Sequence, residues 1–124
     1  MSVLLLTLDA MEQNKRQVWQ EWEDLVLEYY EQNWYEILDT NYTIRWWEID
    51  IVAQMDGTIV FIEVKVVDHT DDLMWYITPK KLMYLDRTIQ NYMYKNNLNF
   101  NVRIDVVFVK NNEIFEVYEN VTNN

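Results

Sequence analysis

The sequence has no cysteine, one glycine, one proline and one histidine among its 124 residues. Without cysteine there is no disulfide framework and no thiolate metal centre, so a metal would need oxygen ligands or His69. No repeat, linker or low-complexity segment interrupts the chain. Long apolar runs are missing as well. Val3-Leu4-Leu5-Leu6 has no basic leader and soon meets Asp9 and Glu12, which fits neither a signal peptide nor a membrane span. A cytoplasmic protein without membrane contact is expected, with residues 1–14 as an N-terminal packing segment or a loosely packed tail. Cations are scarce too: 10 basic against 21 acidic side chains give a net charge of −11, the wrong sign for a protein that lives on a polyanion. Cations bound at clustered carboxylates would offset only part of that excess.

What is present is ample apolar material. At 50% hydrophobic the chain can bury one core, and its length suits one domain over 1–124. From Glu12 to Gln32, Val18, Trp22, Leu25, Val26, Tyr29 and Tyr30 recur at helical spacing. Tyr35 to Ile44, Glu48 to Gln54 and Thr58 to Val67 read as strands. Asp56-Gly57 between the last two is a strong hairpin signal, because a type I′ turn needs positive φ at both central residues. A second helix follows through Leu82, Leu85, Ile89, Tyr92 and Met93, with Pro79 suited to its first turn and Asn96-Asn97 ending it. Val102 to Val109 and Glu113 to Tyr118 are strands around an Asn111-Asn112 turn. The order αβββαββ predicts an α/β domain with a central mixed sheet flanked by two helices.

Closing the hairpin at Asp56-Gly57 sets Met55 against Thr58, Asp50 against Glu63 and Glu48 against Lys65. Cross-strand partners have Cβ atoms roughly 5 Å apart, so Asp50 and Glu63 could grip one divalent cation. Ile49, Ile51, Ile62, Val64 and Val66 would form the opposite, apolar face. Two opposed carboxylates are destabilising without a counter-ion, and hard oxygen ligands in small number suit Mg2+ or Mn2+ better than zinc. Lys65 could stabilise charge developing on a phosphate or orient an attacking water. The same residues would also make an ordinary solvated strand face with a Glu48–Lys65 ion pair, and spacing alone does not separate the two.

The series Asn41, Glu48-Ile49-Asp50 and Phe61-Ile62-Glu63-Val64-Lys65 resembles the YraN-like family of predicted endonucleases, itself similar to archaeal Holliday junction resolvases. The likeness extends from about Val18 to Val117. Glu23 takes the place of a helix-one glutamate, Lys81 that of a lysine on the second helix, and Arg103-Ile104-Asp105-Val106-Val107 that of a late strand motif. The resemblance implies the restriction-endonuclease-like fold of the PD-(D/E)xK superfamily and Mg2+-dependent hydrolysis of DNA, with branched or repair intermediates among the substrates. It implies Asp50 and Glu63 as metal ligands, Lys65 as the catalytic lysine, and Glu23 as a carboxylate reaching in from helix one. Glu48 and Lys81 become accessory candidates, and a homodimer follows by analogy. A module that keeps the fold without catalysis, binding nucleic acid or a protein partner, is the other reading.

The chain departs from that family at glycines. Trp19, Trp22, Trp34 and Trp47 stand where the family keeps glycine, with Trp75 as a further instance. An indole at Trp47 would crowd the site beside Glu48. His69, within Asp68-His69-Thr70-Asp71-Asp72, reads as part of a solvated polar loop.

Overall fold

In the computed structural model, residues 3–45, 47–67 and 77–121 are described, with side chains from residue 17 onward. Seven elements follow in the expected order: α1 (Val3–Gln32), β1 (Glu36–Ile44), β2 (Trp47–Met55), β3 (Thr58–Val66), α2 (Pro79–Lys95), β4 (Asn101–Lys110) and β5 (Glu113–Tyr118). The helix expected from Glu12 instead begins at Val3. Nothing between Val3 and Glu12 breaks a helix, so the apolar segment continues the same helix. His69 and Trp75 lie outside the described residues.

Local chemistry fixes the boundaries. Thr78 caps α2 by accepting the Lys81 N–H at 3.2 Å, and Pro79 occupies the first turn, where a missing N–H costs nothing. At the far end, the Asn96 N–H bonds the Tyr92 carbonyl and Asn97 turns left-handed with φ 51°. Asp56 and Gly57, with φ 49° and 77°, close the β2–β3 hairpin. Asn111 and Asn112, with φ 53° and 60°, close β4–β5 in the same way.

The five strands run in the order β1-β2-β3-β4-β5. Only β3 and β4 are parallel, in register from Thr58↔Asn101 to Val66↔Val109, and α2 makes the crossover between them. Both faces of the sheet are covered, as a parallel centre demands. Leu85, Ile89 and Tyr92 of α2 pack on Ile49, Val52, Phe61, Ile104, Val106 and Phe108. Val26 and Tyr30 of α1 pack on Ile51, Ala53, Val60, Ile62, Val64, Val107 and Val109. This α/β arrangement of five mixed strands and two helices agrees with a restriction-endonuclease-like core. One expected face needs correction: Ile49 packs on the α2 side, whereas Ile51, Ile62 and Val64 face α1.

The α1 side is tied down by Asp105, which is fully buried. Its carboxylate accepts the Tyr30 hydroxyl at 2.8 Å, the Arg103 guanidinium at 2.8 and 2.9 Å, and the Asn120 N–H at 3.0 Å. Arg103 also donates to the Tyr35 hydroxyl at 2.6 Å. One carboxylate thus joins α1, β4 and the segment after β5. Breaking a buried pair from one side leaves the other charge uncompensated, at a cost of about 3–5 kcal/mol. Asp105→Ala is therefore expected to lower Tm by roughly 15 °C in differential scanning calorimetry. A fall of only a degree or two would show that the network is dispensable.

Candidate active site at the open end of the β2–β3 hairpin

The β2–β3 ladder runs in the expected register from Met55↔Thr58 to Ile51↔Ile62, one residue short of Asp50. There the backbone pairing gives way to a side chain: the Asp50 carboxylate accepts the Val64 N–H at 2.7 Å. The expected strand-to-strand facing of Asp50 and Glu63 is thus replaced by an aspartate inserted into the ladder. Beyond Ile51, β2 stays paired with β1 through Ile44↔Trp47. Held by one neighbour only, the strand end turns Ile49 toward α2.

Asp50 and Glu63 are nevertheless close and both buried, at 7% and 6% exposure. Burial first, and repulsion from the neighbouring carboxylates next, holds both above the ordinary carboxylate range. Asp50 is raised to about 6, although the Val64 N–H and Lys65 act against the shift. Glu63 is raised to about 8 by burial and then by the Asp50 charge, with Lys65 and the nearby Trp47 indole opposing. Lys65 lies 3.9 Å from Glu63 and is one-third exposed, so it reaches from the buried carboxylate toward solvent. Among the described residues, its ion-pair partner is Glu63 and not the expected Glu48.

Glu23 enters from α1 and is only 2% exposed, so it is not a solvated helix glutamate. With its amide nitrogen turned toward the acids, Asn41 donates to Glu23 Oε1 at 2.8 Å and to Glu48 Oε1 at 3.1 Å. Trp19 donates its indole N–H to Glu23 at 3.1 Å. Burial raises Glu23 above its usual value against both of these bonds, and its charge contributes to raising Asp50. In the sequence Asn41 is only one member of a motif, with no role of its own. Its backbone is left-handed, φ 54° within β1, and its side chain bridges the two carboxylates.

On the α2 side, Trp47, Glu63, Lys65, Lys81 and Val106 line a cavity of about 20 Å³, with room for about one water. Lys81 is thereby brought to the site. The Trp47 ring stacks on Tyr84 at 5.8 Å, and its buried N–H is directed at the Glu63 carboxylate without completing a hydrogen bond. Glu63 Oε1 is buried as well and has no completed hydrogen bond.

A buried carboxylate oxygen without a completed hydrogen bond, next to a second carboxylate, is the arrangement that a divalent cation satisfies. Among the described residues, no three Asp, Glu or His side chains converge on one point. Two carboxylates with water completing the shell suit Mg2+, which keeps several waters and dehydrates reluctantly. Asp50 and Glu63 would supply two carboxylate ligands for that ion, while the cavity walled by Trp47 has room for only about one of its waters.

No helix is long and apolar enough to cross a membrane, among the described residues. A UPF0102 protein of a Nitratiruptor species is 42% identical over 90 residues, covering 73% of this chain and 79% of that protein. One from Aliarcobacter butzleri is 37% identical over 101 residues, covering 81% and 91%. One from Thermotoga maritima is 38% identical over 91 residues, covering 73% and 84%. The family pattern itself matches residues 22–109, which takes in Glu23, Asn41, Asp50, Glu63, Lys65 and Lys81. The chain therefore belongs to the uncharacterised protein family UPF0102.

Proposed function

We propose that this protein is a Mg2+- or Mn2+-dependent nuclease that hydrolyses phosphodiester bonds in DNA. The carrying observation is the pair Asp50 and Glu63, buried together with one oxygen lacking a completed hydrogen bond and a lysine beside them. When bound, the cation supplies Lewis acidity and charge neutralisation at the scissile phosphate. Asp50 and Glu63 hold it, and the Val64 N–H fixes the Asp50 carboxylate for that task. Lys65 stabilises negative charge as it develops on the phosphoryl oxygens, from a side chain anchored at Glu63 and reaching solvent. Glu23 and Glu48, bridged by Asn41, lie close enough to Asp50 to add negative potential for the cation.

The test is incubation with duplex, single-stranded and branched DNA, with Mn2+, Mg2+ or chelator. Metal-dependent cutting of at least one substrate is expected from this chain or from its Trp47→Gly variant, in which the indole beside Glu63 is removed, and complete inertness of both proteins on all three would overturn the reading. In the same assay Lys65→Met should lower kcat by about 10²- to 10³-fold with little change in KM, since it removes a contact made in the transition state. An undiminished rate would exclude Lys65 from the chemistry.

A specific observation favours a second reading, a non-catalytic binding module. The Trp47 indole leaves only about 20 Å³ beside Glu63. Thermal shift with Mn2+ separates the two, because an ion bound only by the folded protein must raise Tm.

A further inference from the structure

Trp34 follows α1 in a Schellman arrangement: the Tyr35 N–H bonds the Tyr30 carbonyl at 3.0 Å and the Trp34 N–H bonds that of Glu31 at 3.1 Å. Its φ is 72°, in the left-handed region where a Cβ clashes with the following carbonyl oxygen. Among the described residues, the other non-glycine positions with positive φ are Asn41, Asp56, Asn97, Asn111, Asn112 and Asn120. All are Asn or Asp, whose short polar side chains tolerate that backbone. Trp34 alone is bulky, and at 88% exposure it gains no packing in return.

Trp47 is anomalous for a different reason. Its backbone is ordinary strand, but its indole lies between the candidate metal ligand Glu63 and α2, with its buried N–H short of a completed hydrogen bond. The acceptor it faces is the Glu63 carboxylate, which the candidate cation would use. Composition points the same way: ordinary usage would give a chain of this length about nine glycines, whereas this one has one, alongside six tryptophans.

We propose that glycine is the natural residue at positions 34 and 47, encoded by UGA, a codon that the source cell reads as glycine and that this sequence renders as tryptophan. UGA is read as tryptophan in some genetic codes and as glycine in others, so one reading error would convert both positions together. Glycine at 34 satisfies the helix terminus without strain. Glycine at 47 removes the indole from the wall of the cavity and gives a phosphodiester access to Glu63 and Lys65; this last consequence rests on the nuclease reading.

The decisive measurement is the codon at each position in the gene, with mass spectrometry of tryptic peptides from protein isolated from the source cell. UGA at both, with glycine in the peptides, is expected. UGG at either, or tryptophan in a native peptide, overturns the proposal. Independently of any activity, Trp34→Gly in the recombinant chain should raise Tm by about 3–6 °C, and an unchanged or lower Tm would contradict the backbone argument. Trp47→Gly should show a larger Mn2+-induced rise in Tm than the parent. Glycine codons with no such gain would sink the access role of position 47 and count against the nuclease reading, while leaving the glycine assignment standing.

Discussion

Asp50→Asn and Glu63→Gln are each expected to reduce metal-dependent DNA cleavage by at least about 10³-fold while leaving the fold intact. Both substitutions preserve shape and remove a charge that the cation needs. The choice of Asn at position 50 follows from the Val64 N–H, which the Asp50 carboxylate accepts at 2.7 Å. Asparagine keeps an acceptor for it. Alanine would leave a buried donor unpaired, at about 1–3 kcal/mol, and an inactive Asp50→Ala protein could simply be a less stable one. Cleavage rate and Tm measured on the same preparations separate the effects. Near-parental cutting by either variant would remove these residues from the site.

The same Glu63→Gln protein is expected to be more stable than its parent, and increasingly so as pH rises. In the folded protein Asp50 and Glu63 release their protons only at about 6 and about 8. The unfolded chain releases them in the ordinary carboxylate range. The folded state thus binds more protons across that interval, and the metal-free protein loses stability as pH climbs from about 4 through about 8. Releasing the Glu63 proton into that buried, negatively charged setting costs the folded state stability, in full only above the upper limit. Glutamine carries no such cost. The metal-free Tm of Glu63→Gln should exceed the parent's by several degrees at pH 8 and by little at pH 5. Mn2+ should stabilise the parent most at high pH, where it displaces fewer protons, and should do far less for the variant. Curves of Tm against pH that run parallel for the two proteins would contradict the buried-pair account.

Much of this architecture is legible from the residues because the turns announce themselves. Asp56-Gly57 and Asn111-Asn112 each supply two residues that accept positive φ, and both hairpins close there. Thr78 and Pro79 mark the start of α2 just as plainly. The likeness to the YraN-like family is borne out as membership of UPF0102. What alternation could not reveal is where a strand loses a neighbour. The β2–β3 register holds through Ile51↔Ile62, then fails at the residue that matters, because Asp50 turns its carboxylate to the Val64 N–H. That is also where Ile49 changes face. The roles of Asn41 and Asp105 were hidden for a related reason. Their partners come from other elements, Tyr30 lying 75 positions from Asp105 in the chain and Glu23 18 from Asn41.

The single parallel pairing carries a kinetic consequence. The β2–β3 and β4–β5 hairpins each join residues close in sequence through two-residue turns, and such units form within microseconds. The β3–β4 seam can close only after the whole α2 crossover has been gathered in, so the chain loses that loop's entropy before the seam's contacts form. Glu63 and Lys65 sit on that seam, opposite Val106 and Phe108. The two carboxylates are therefore brought together within the first hairpin, while the wall that buries them arrives last. Glu63 therefore reaches its buried setting only when that late seam shuts.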